Sequence, residues 1–437
     1  MTRRTDIEGE GLDAGVGAGA PGPQRGDGRP TEATALRFWL RLGCISFGGP
    51  AGQIAIMHDE LVERRGWISE SRFLHALAFC FALPGPEAQQ VATYVGWRLH
   101  GLRGALAAGG LFFLPSFVLL CALSFVYVEY GEVPEVAGVV RGLGGAVVGL
   151  VVAALIRVGG RVATTPVTMG LAALAFGALM LGVPFPAILV AAAVIAIAMQ
   201  RLAPGSFPGL GHATDDDAGA QSEHVTTSPR RIGGILSTWI LLVVGLLLVG
   251  GVIADLAGFF SLAALVTFGG AYAVLPFVAD QAVNRFEWLS SKDMVAGLAL
   301  GETTPGPLIM VNTFVGYLAG WTTHHSHAWA MAGAGVATLC TFAPSFVFIL
   351  LGGPYVDRMP RRGRVASALH GVSVAVVGVI GGLAVFVGRN VLVVDGEPDW
   401  LAIVLALVAL IALARYRVNV LWIIGLSAAA GVIAGLS

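Results

Sequence analysis

Two carboxylates stand beside the same tripeptide in apolar surroundings. Glu87 follows Leu83-Pro84-Gly85-Pro86, and Glu302 precedes Thr303-Thr304-Pro305-Gly306-Pro307. A carboxylate held within a membrane is costly and usually functional, and taking up a proton coupled to ion movement is the chemistry it supports. Glu87 also lies in the first turn after Pro86, where it can cap a helix. Gln89, Gln90, Thr303, Thr304 and Asn312 can donate to anion oxygens, and packing between helices explains each equally well. Gln53 reads as structural. Pro-Gly-Pro brings a second kind of chemistry. A helix starting after it exposes N–H groups without intrahelical partners. These carry roughly half a positive charge and bind oxyanions without a buried lysine or arginine. Proline at the first helical position costs little there. Two such starts, from Pro86 and Pro307, facing one cavity suit a dianion. Gly48-Gly49 and Gly269-Gly270 let another backbone approach closely. The plainer alternative is that each Pro-Gly-Pro only kinks packed helices.

These residues recur in order. Phe47-Gly48-Gly49, Trp67-Ile68-Ser69 and Leu83-Pro84-Gly85-Pro86 match Phe268-Gly269-Gly270, Trp288-Leu289-Ser290 and Thr304-Pro305-Gly306-Pro307 at an offset of 221. Thr93-Tyr94-Val95-Gly96 matches Thr313-Phe314-Val315-Gly316. Pro115-Ser116-Phe117 matches Pro344-Ser345-Phe346, and Ala146-Val147-Val148-Gly149 matches Ala375-Val376-Val377-Gly378, both at 229. Such a series indicates an internal duplication. Helix breakers in apolar sequence are tolerated in a membrane only where protein or a cavity covers them.

The elements that must position these motifs are membrane helices. Of 437 residues, 56% are hydrophobic and 12% charged, with mean hydropathy +0.79; soluble domains carry about 25% charged residues. The net charge of −1 gives no case for nucleic acid. Cys44, Cys80, Cys121 and Cys340 lack CxxC spacing and read as buried thiols. His324-His325-Ser326-His327 reads as a solvated loop. Arg98 and Arg103 read as anchors at a span end rather than as anion recruiters.

The expected plan is a disordered cytoplasmic tail over 1–30, a first transmembrane repeat over 31–201 and a cytoplasmic linker over 202–232. An unduplicated helix over 233–256 and a second repeat over 257–437 follow. Apolar stretches are expected near 35–57, 102–128, 136–158, 167–181, 185–200, 235–254, 259–278, 328–351, 366–387, 401–414 and 418–436. The pieces flanking Pro84-Gly85-Pro86 are too short to span alone at about 1.5 Å per residue. They form either one broken span or a re-entrant hairpin. Arginines mark cytoplasmic loops. Arg157/Arg161, Arg201/Arg230/Arg231, Arg358/Arg361/Arg362/Arg364 and Arg415/Arg417 fall inside; Glu129/Glu132/Glu135 and Asp395/Glu397/Asp399 fall outside. Matched loops carry opposite charge, so the copies insert upside down. This gives about 13 spans if each Pro-Gly-Pro region crosses and about nine if each is re-entrant together with the apolar stretch before it. The fold class is an all-α polytopic membrane protein with two inverted-topology repeats and discontinuous helices. That is the signature of secondary transporters.

The motif set resembles the chromate ion transporter family in its long, two-domain form, over about Thr31 to Ser437. Phe47-Gly48-Gly49-Pro50, Leu83-Pro84-Gly85-Pro86-Glu87 with Tyr94-Val95-Gly96, and Glu302 to Pro307 with Asn312 and Phe314-Val315-Gly316 carry the likeness. Ala271 stands where the first copy has Pro50. The resemblance implies export of chromate, a tetrahedral dianion shaped like sulfate, driven by the membrane gradient and giving chromate resistance. The expected substrate contacts are Phe47, Gly48, Gly49, Pro84, Gly85, Pro86, Glu87, Gln90, Phe268, Gly269, Gly270, Thr304, Pro305, Gly306, Pro307 and Asn312. Glu87 and Glu302 are candidates for proton coupling. No cofactor or metal is expected. The expected partners are chromate or a sulfate-like oxyanion and the bilayer of the bacterial plasma membrane, with a homodimer compatible. An anion channel or a sulfate-like transporter would read alike. A membrane enzyme finds no Ser/His/Asp, HExxH or Walker A pattern to support it.

Overall fold

A computed structural model describes residues 30–47, 49–202, 229–358, 364–394, 396–416 and 418–436. Residues 1–29 of the expected tail, most of the linker, Gly48, Arg361, Arg362, Asp395 and Arg417 lie outside the described residues. The described chain is helical. In the first half come α1 (Glu32–Ile45), α2 (Gly49–His58), α3 (Glu70–Ala82), α4 (Glu87–Tyr130), α5 (Pro134–Val162), α6 (Pro166–Met180) and α7 (Phe185–Leu202). Then α8 (Pro229–Val249) leads to α9 (Gly251–Val266), α10 (Ala271–Asp280), α11 (Ser291–Thr303), α12 (Val311–His324), α13 (His327–Gly352), α14 (Arg364–Val391), α15 (Trp400–Ala414) and α16 (Val420–Leu436). A two-residue antiparallel hairpin, Val393–Val394 with Glu397–Pro398, precedes α15.

Helix breakers divide the apolar sequence where their conformation requires. Gly250 and Gly251, both at positive φ, end α8 at Val249, short of the expected 254. The stretch over 259–278 is not one span: α9 stops at Val266, and Gly269 and Gly270 at φ +78° and +95° restart the chain as α10. The long α4 is a folded pair of arms, turned at His100 and Gly101, the latter at φ +61° and ψ −145°. Gly96 and Gly104 meet backbone to backbone across that turn, as Gly316 and Gly333 do between α12 and α13. Small residues at such crossings let membrane helices close on each other.

Contacts at the helix ends show which elements turn back. The carbonyl of Pro30, before α1, lies 2.8 Å from the His100 ring Nε2. Phe38 of α1 meets Trp67, after α2, with ring centres 5.1 Å apart. Trp67 and Ser69, before α3, share a cavity with Val95 and Leu99 at the end of the first α4 arm. Thus α1–α2 and α3–α4 both enter and leave at one face, called here the first face, with Phe47 and Pro84-Gly85-Pro86 at their tips. In the second half Thr322 Oγ1, late in α12, donates to Trp288 O before α11 at 3.0 Å, so α11–α12 is also a hairpin. It opens at the other, second face, because Tyr127 at the end of α4 donates to Asp293 Oδ1 at 2.7 Å. His327, starting α13, lies 3.0 Å from Glu129 at that face, and Gly353, ending it, packs on Trp97 at the first. Matched helices α4 and α13 therefore run in opposite directions. Four described helices are long and apolar enough to cross a membrane, Glu87–Tyr130, Pro134–Val162, His327–Gly352 and Ala366–Val391, and six shorter apolar helices accompany them.

The outer helices cross over between halves. α5 packs on α15 and α16, where Gly142 meets the Ser427 backbone and Gly149 that of Ala406. α14 packs on α6 and α7, where Gly378 meets Ala172 and Gly371 meets Ala192 and Ala196. Large apolar side chains such as Leu106, Val118, Val190, Leu248, Leu407 and Ile433 stay exposed on the outside. A helical bundle with this distribution faces lipid rather than water. Cys80, Cys121 and Cys340 are buried, but Cys44 is exposed, because its side of α1 points outward. The sequence marks α1 as apolar without saying which side faces the bundle.

Candidate functional site

Where the four hairpin tips meet, the two halves exchange backbone hydrogen bonds. Gly85 N–H donates to Thr267 O, and Gly306 N–H donates to Ser46 O, each at 2.7 Å. Ser46 and Thr267 are the residues that end α1 and α9, each with its hydroxyl turned back on its own helix, to Leu42 O at 2.6 Å and Ala263 O at 2.5 Å. The glycine of each Pro-Gly-Pro thus satisfies a carbonyl left open at the broken helix end of the other half. Gly85 and Gly306 hold φ near +117° and +105° to do so. Their neighbours are also exchanged. A Cβ on Gly85 would lie 2.5 Å from Ser345 Oγ, and one on Gly306 would lie 2.9 Å from Ser116 Cβ. Ser116 and Ser345 follow the matched prolines Pro115 and Pro344, so the repeat itself marks these two partners of the site, although neither is among the expected contacts.

The two tips differ in the residues on their C-terminal side. After Pro86, α4 begins at once with Glu87, and Gln89 and Gln90 occupy its first turn, all buried. Glu87 lies against Gly270, where an added Cβ would sit 3.8 Å from its Oε1. Gln90 Nε2 donates to Pro84 O at 2.7 Å and reaches Ser345 Oγ at 3.3 Å; Gln89 Nε2 donates to Thr93 Oγ1 at 3.0 Å. After Pro307 come Leu308, Ile309 and Met310 in a tight 3₁₀ turn before α12. Asn312 donates to Thr341 Oγ1 at 3.1 Å, and Thr304 Oγ1 lies 3.4 Å from Ser116 Oγ. Gln53 joins the tips directly, with Nε2 donating to Gly306 O at 2.6 Å and to Ser46 O at 3.2 Å. Among the described residues, Gln53 Oε1, Glu87 Oε2, Gln89 Oε1, Gln90 Oε1 and Asn312 Oδ1 are buried without a hydrogen-bond partner. All five are acceptor oxygens, and leaving them unpaired in a buried centre is costly.

The remaining expected residues fall around this centre. Phe47 and Phe268 are half-buried between their helices, Gly49 opens α2 at φ +73°, and Gly269 packs on Val376. Pro84 is half-buried, and Pro86, Pro305 and Pro307 are buried. Glu302, in the last turn of α11, is half-buried and accepts from Tyr272 Oη at 2.5 Å. The start of α10 lies between the two carboxylates, since Gly270 touches Glu87 and Tyr272 binds Glu302.

The family model described as chromate transporter matches residues 33–197 and 254–432, the stretches that hold the two sets of motifs. The chain belongs to the chromate transporter family. A chromate transport protein of Pseudomonas aeruginosa is 32% identical over 352 residues, covering 78% of either chain. A chromate transport protein of Cupriavidus metallidurans is 28% identical over 389 residues, 87% of this chain and 88% of the other. A probable chromate transport protein of Synechococcus elongatus is 29% identical over 415 residues, 91% and 94% of the two chains. No solved structure matches. Membership in the chromate transporter family points to transport rather than catalysis and to a multi-pass membrane protein, in keeping with the apolar helices.

Proposed function

We propose that this chain is a secondary transporter that exports chromate across the plasma membrane and so confers chromate resistance. The observation that carries this is the exchange of Gly85 to Thr267 and Gly306 to Ser46, which brings both Pro-Gly-Pro breaks and Glu87 into one buried centre shared by the halves. Secondary transporters place their sites at such repeat interfaces. The halves insert with opposite topology, the first face and N-terminus being cytoplasmic. The anion meets the open N–H groups at the start of α4, beside the Gln90 and Asn312 amides, which must release Pro84 O and Thr341 Oγ1 to donate to it. Glu87 stands at that start as a competing negative charge, so the anion enters as Glu87 takes a proton. One net negative charge then leaves per cycle. An inside-negative potential drives that step by about 2.3 kcal/mol per 100 mV. Glu302, already holding the Tyr272 hydroxyl, is the second candidate for this role.

Radiolabelled chromate uptake into everted vesicles tests this reading. Uptake is expected to depend on the gradient, to be competed weakly by sulfate and molybdate, and to fail in Pro86→Leu and Pro307→Leu chains that still reach the membrane. Stronger competition by sulfate would reassign the substrate. Non-saturating flux indifferent to the gradient would mean a channel. Glu132→Cys and Arg361→Cys should label from opposite sides; labelling from one side would remove the inverted arrangement.

A further inference from the structure

The two hairpin pairs have mouths built on one plan with opposite chemistry. At the first face a cavity of about 260 Å³ is lined by Gly66, Trp67, Ser69, Arg72 and Arg98, among others. That is small against the ~300–1,000 Å³ of pockets for organic ligands. At the second face the corresponding residues are Glu287, Trp288, Ser290, Asp293 and Leu318. The backbone plan is kept so closely that Glu287 holds φ +53° where Gly66 holds +61°. In the second mouth the polar groups are used internally: Ser290 and Asp293 cap α11 reciprocally, and Asp293 takes the Tyr127 hydroxyl. In the first mouth Ser69 precedes α3 without making a side-chain cap. Neighbouring Arg64 and Arg65 are neutralised by Asp59 and Glu60, at 3.0 Å each. Arg72 and Arg98, both half-buried, have no acidic partner among the described residues.

We propose that this cavity is an anion-capture site for a tetrahedral oxyanion, held by the Arg72 and Arg98 guanidiniums, the Ser69 hydroxyl and the first N–H groups of α3. Planar guanidiniums match such oxygens two at a time. The site serves the first face alone, because Asp293 and Glu287 repel anions at the other mouth. Its role in transport rests on the function proposed above; its binding chemistry does not.

The test uses the full chain with Arg72→Gln, Arg98→Gln and the double change, the Lys substitutions at both positions, and Arg103→Gln as a control. In everted vesicles, where the first face is outside, the double change is expected to raise half-saturating chromate about tenfold while keeping most of the maximal rate. The Lys variants, which keep the charge but lose the two-point match, should recover only part of the affinity, and Arg103→Gln should match the native chain. Sodium sulfate at constant ionic strength should raise the Tm of the detergent-purified native protein and should do so less in the double variant. Unchanged half-saturation overturns the proposal, as does an equal rise in right-side-out vesicles. A lipid phosphate in the cavity would appear as lost stabilisation by anionic lipid with chromate and sulfate responses unchanged, and would also overturn it. A native chain that moves no chromate, yet whose sulfate stabilisation maps to both arginines, keeps the site and rejects the transport reading.

Discussion

The two Pro-Gly-Pro tips share a backbone and differ in nearly every side chain just beyond it. Each glycine donates across the interface, each sits at positive φ, and each meets a serine of the other half. Yet the first opens onto Glu87, Gln89 and Gln90, and the second onto Leu308, Ile309 and Met310. The shared part is what a duplicated fold needs in order to close on itself. The unshared part is where chemistry can specialise, and under the proposed function the first tip carries the ion while the second acts as its scaffold.

The shared part should fail symmetrically. Gly85→Ala and Gly306→Ala each place a Cβ at a strained φ with no room for it. Each is expected to cost about 3 kcal/mol or more and to remove most folded protein from the membrane, read by expression level and thermal unfolding. A tolerated alanine at either position breaks the symmetry. The unshared part should fail on one side only. Glu87→Gln should lower gradient-dependent chromate transport about a hundredfold, whereas Leu308→Met, its matched change, should leave transport within about twofold. Equal losses would move the ion to the middle of the interface. Gln53→Ala leaves the Gly306 carbonyl without its side-chain donor, and about 1–3 kcal/mol of stability should go with it.

Much of this arrangement is legible in the sequence, because breakers and small residues recur at fixed offsets and physics requires a broken helix to be covered. The fold class and the paired tips both come from that. The exchange between halves is not legible. Periodicity shows that Ser46 and Thr267 lie before breaks but not that they receive amides from the opposite copy. Gln53, expected to be structural, does tie two backbone segments together, while its other amide atom faces the unpaired cluster. Ser116 and Ser345 are visible in the sequence only as repeat markers. The expectation of a buried Cys44 fails because an apolar helix does not reveal its lipid side.

The smallest effects should come from the outer helix caps, where the halves again differ. Thr165 starts α6 through a reciprocal capping box, whereas Asp399 starts α15 with its carboxylate on Ala402 N–H at 3.1 Å and on Arg141 Nε at 2.7 Å. Arg141 holds the Asp399 carboxyl below its usual range. With the folded value depressed, the stabilisation is present above the ordinary carboxylate range and is lost as pH falls through the depressed value. Arg141 is half exposed, which limits the pair to under about 1 kcal/mol. Asp399→Asn should therefore lower Tm slightly at neutral pH and not at strongly acidic pH. An equal change at both would assign the effect to helix capping alone.

The exchanged outer helices carry one more consequence. Because α5 rests on α15 and α16 while α14 rests on α6 and α7, neither half encloses its own long helix. Two polypeptides made by cutting the chain within 203–228 should accumulate only when produced together. Each would rescue the other as a subunit, and a gene carrying either fragment alone should yield material that the cell degrades.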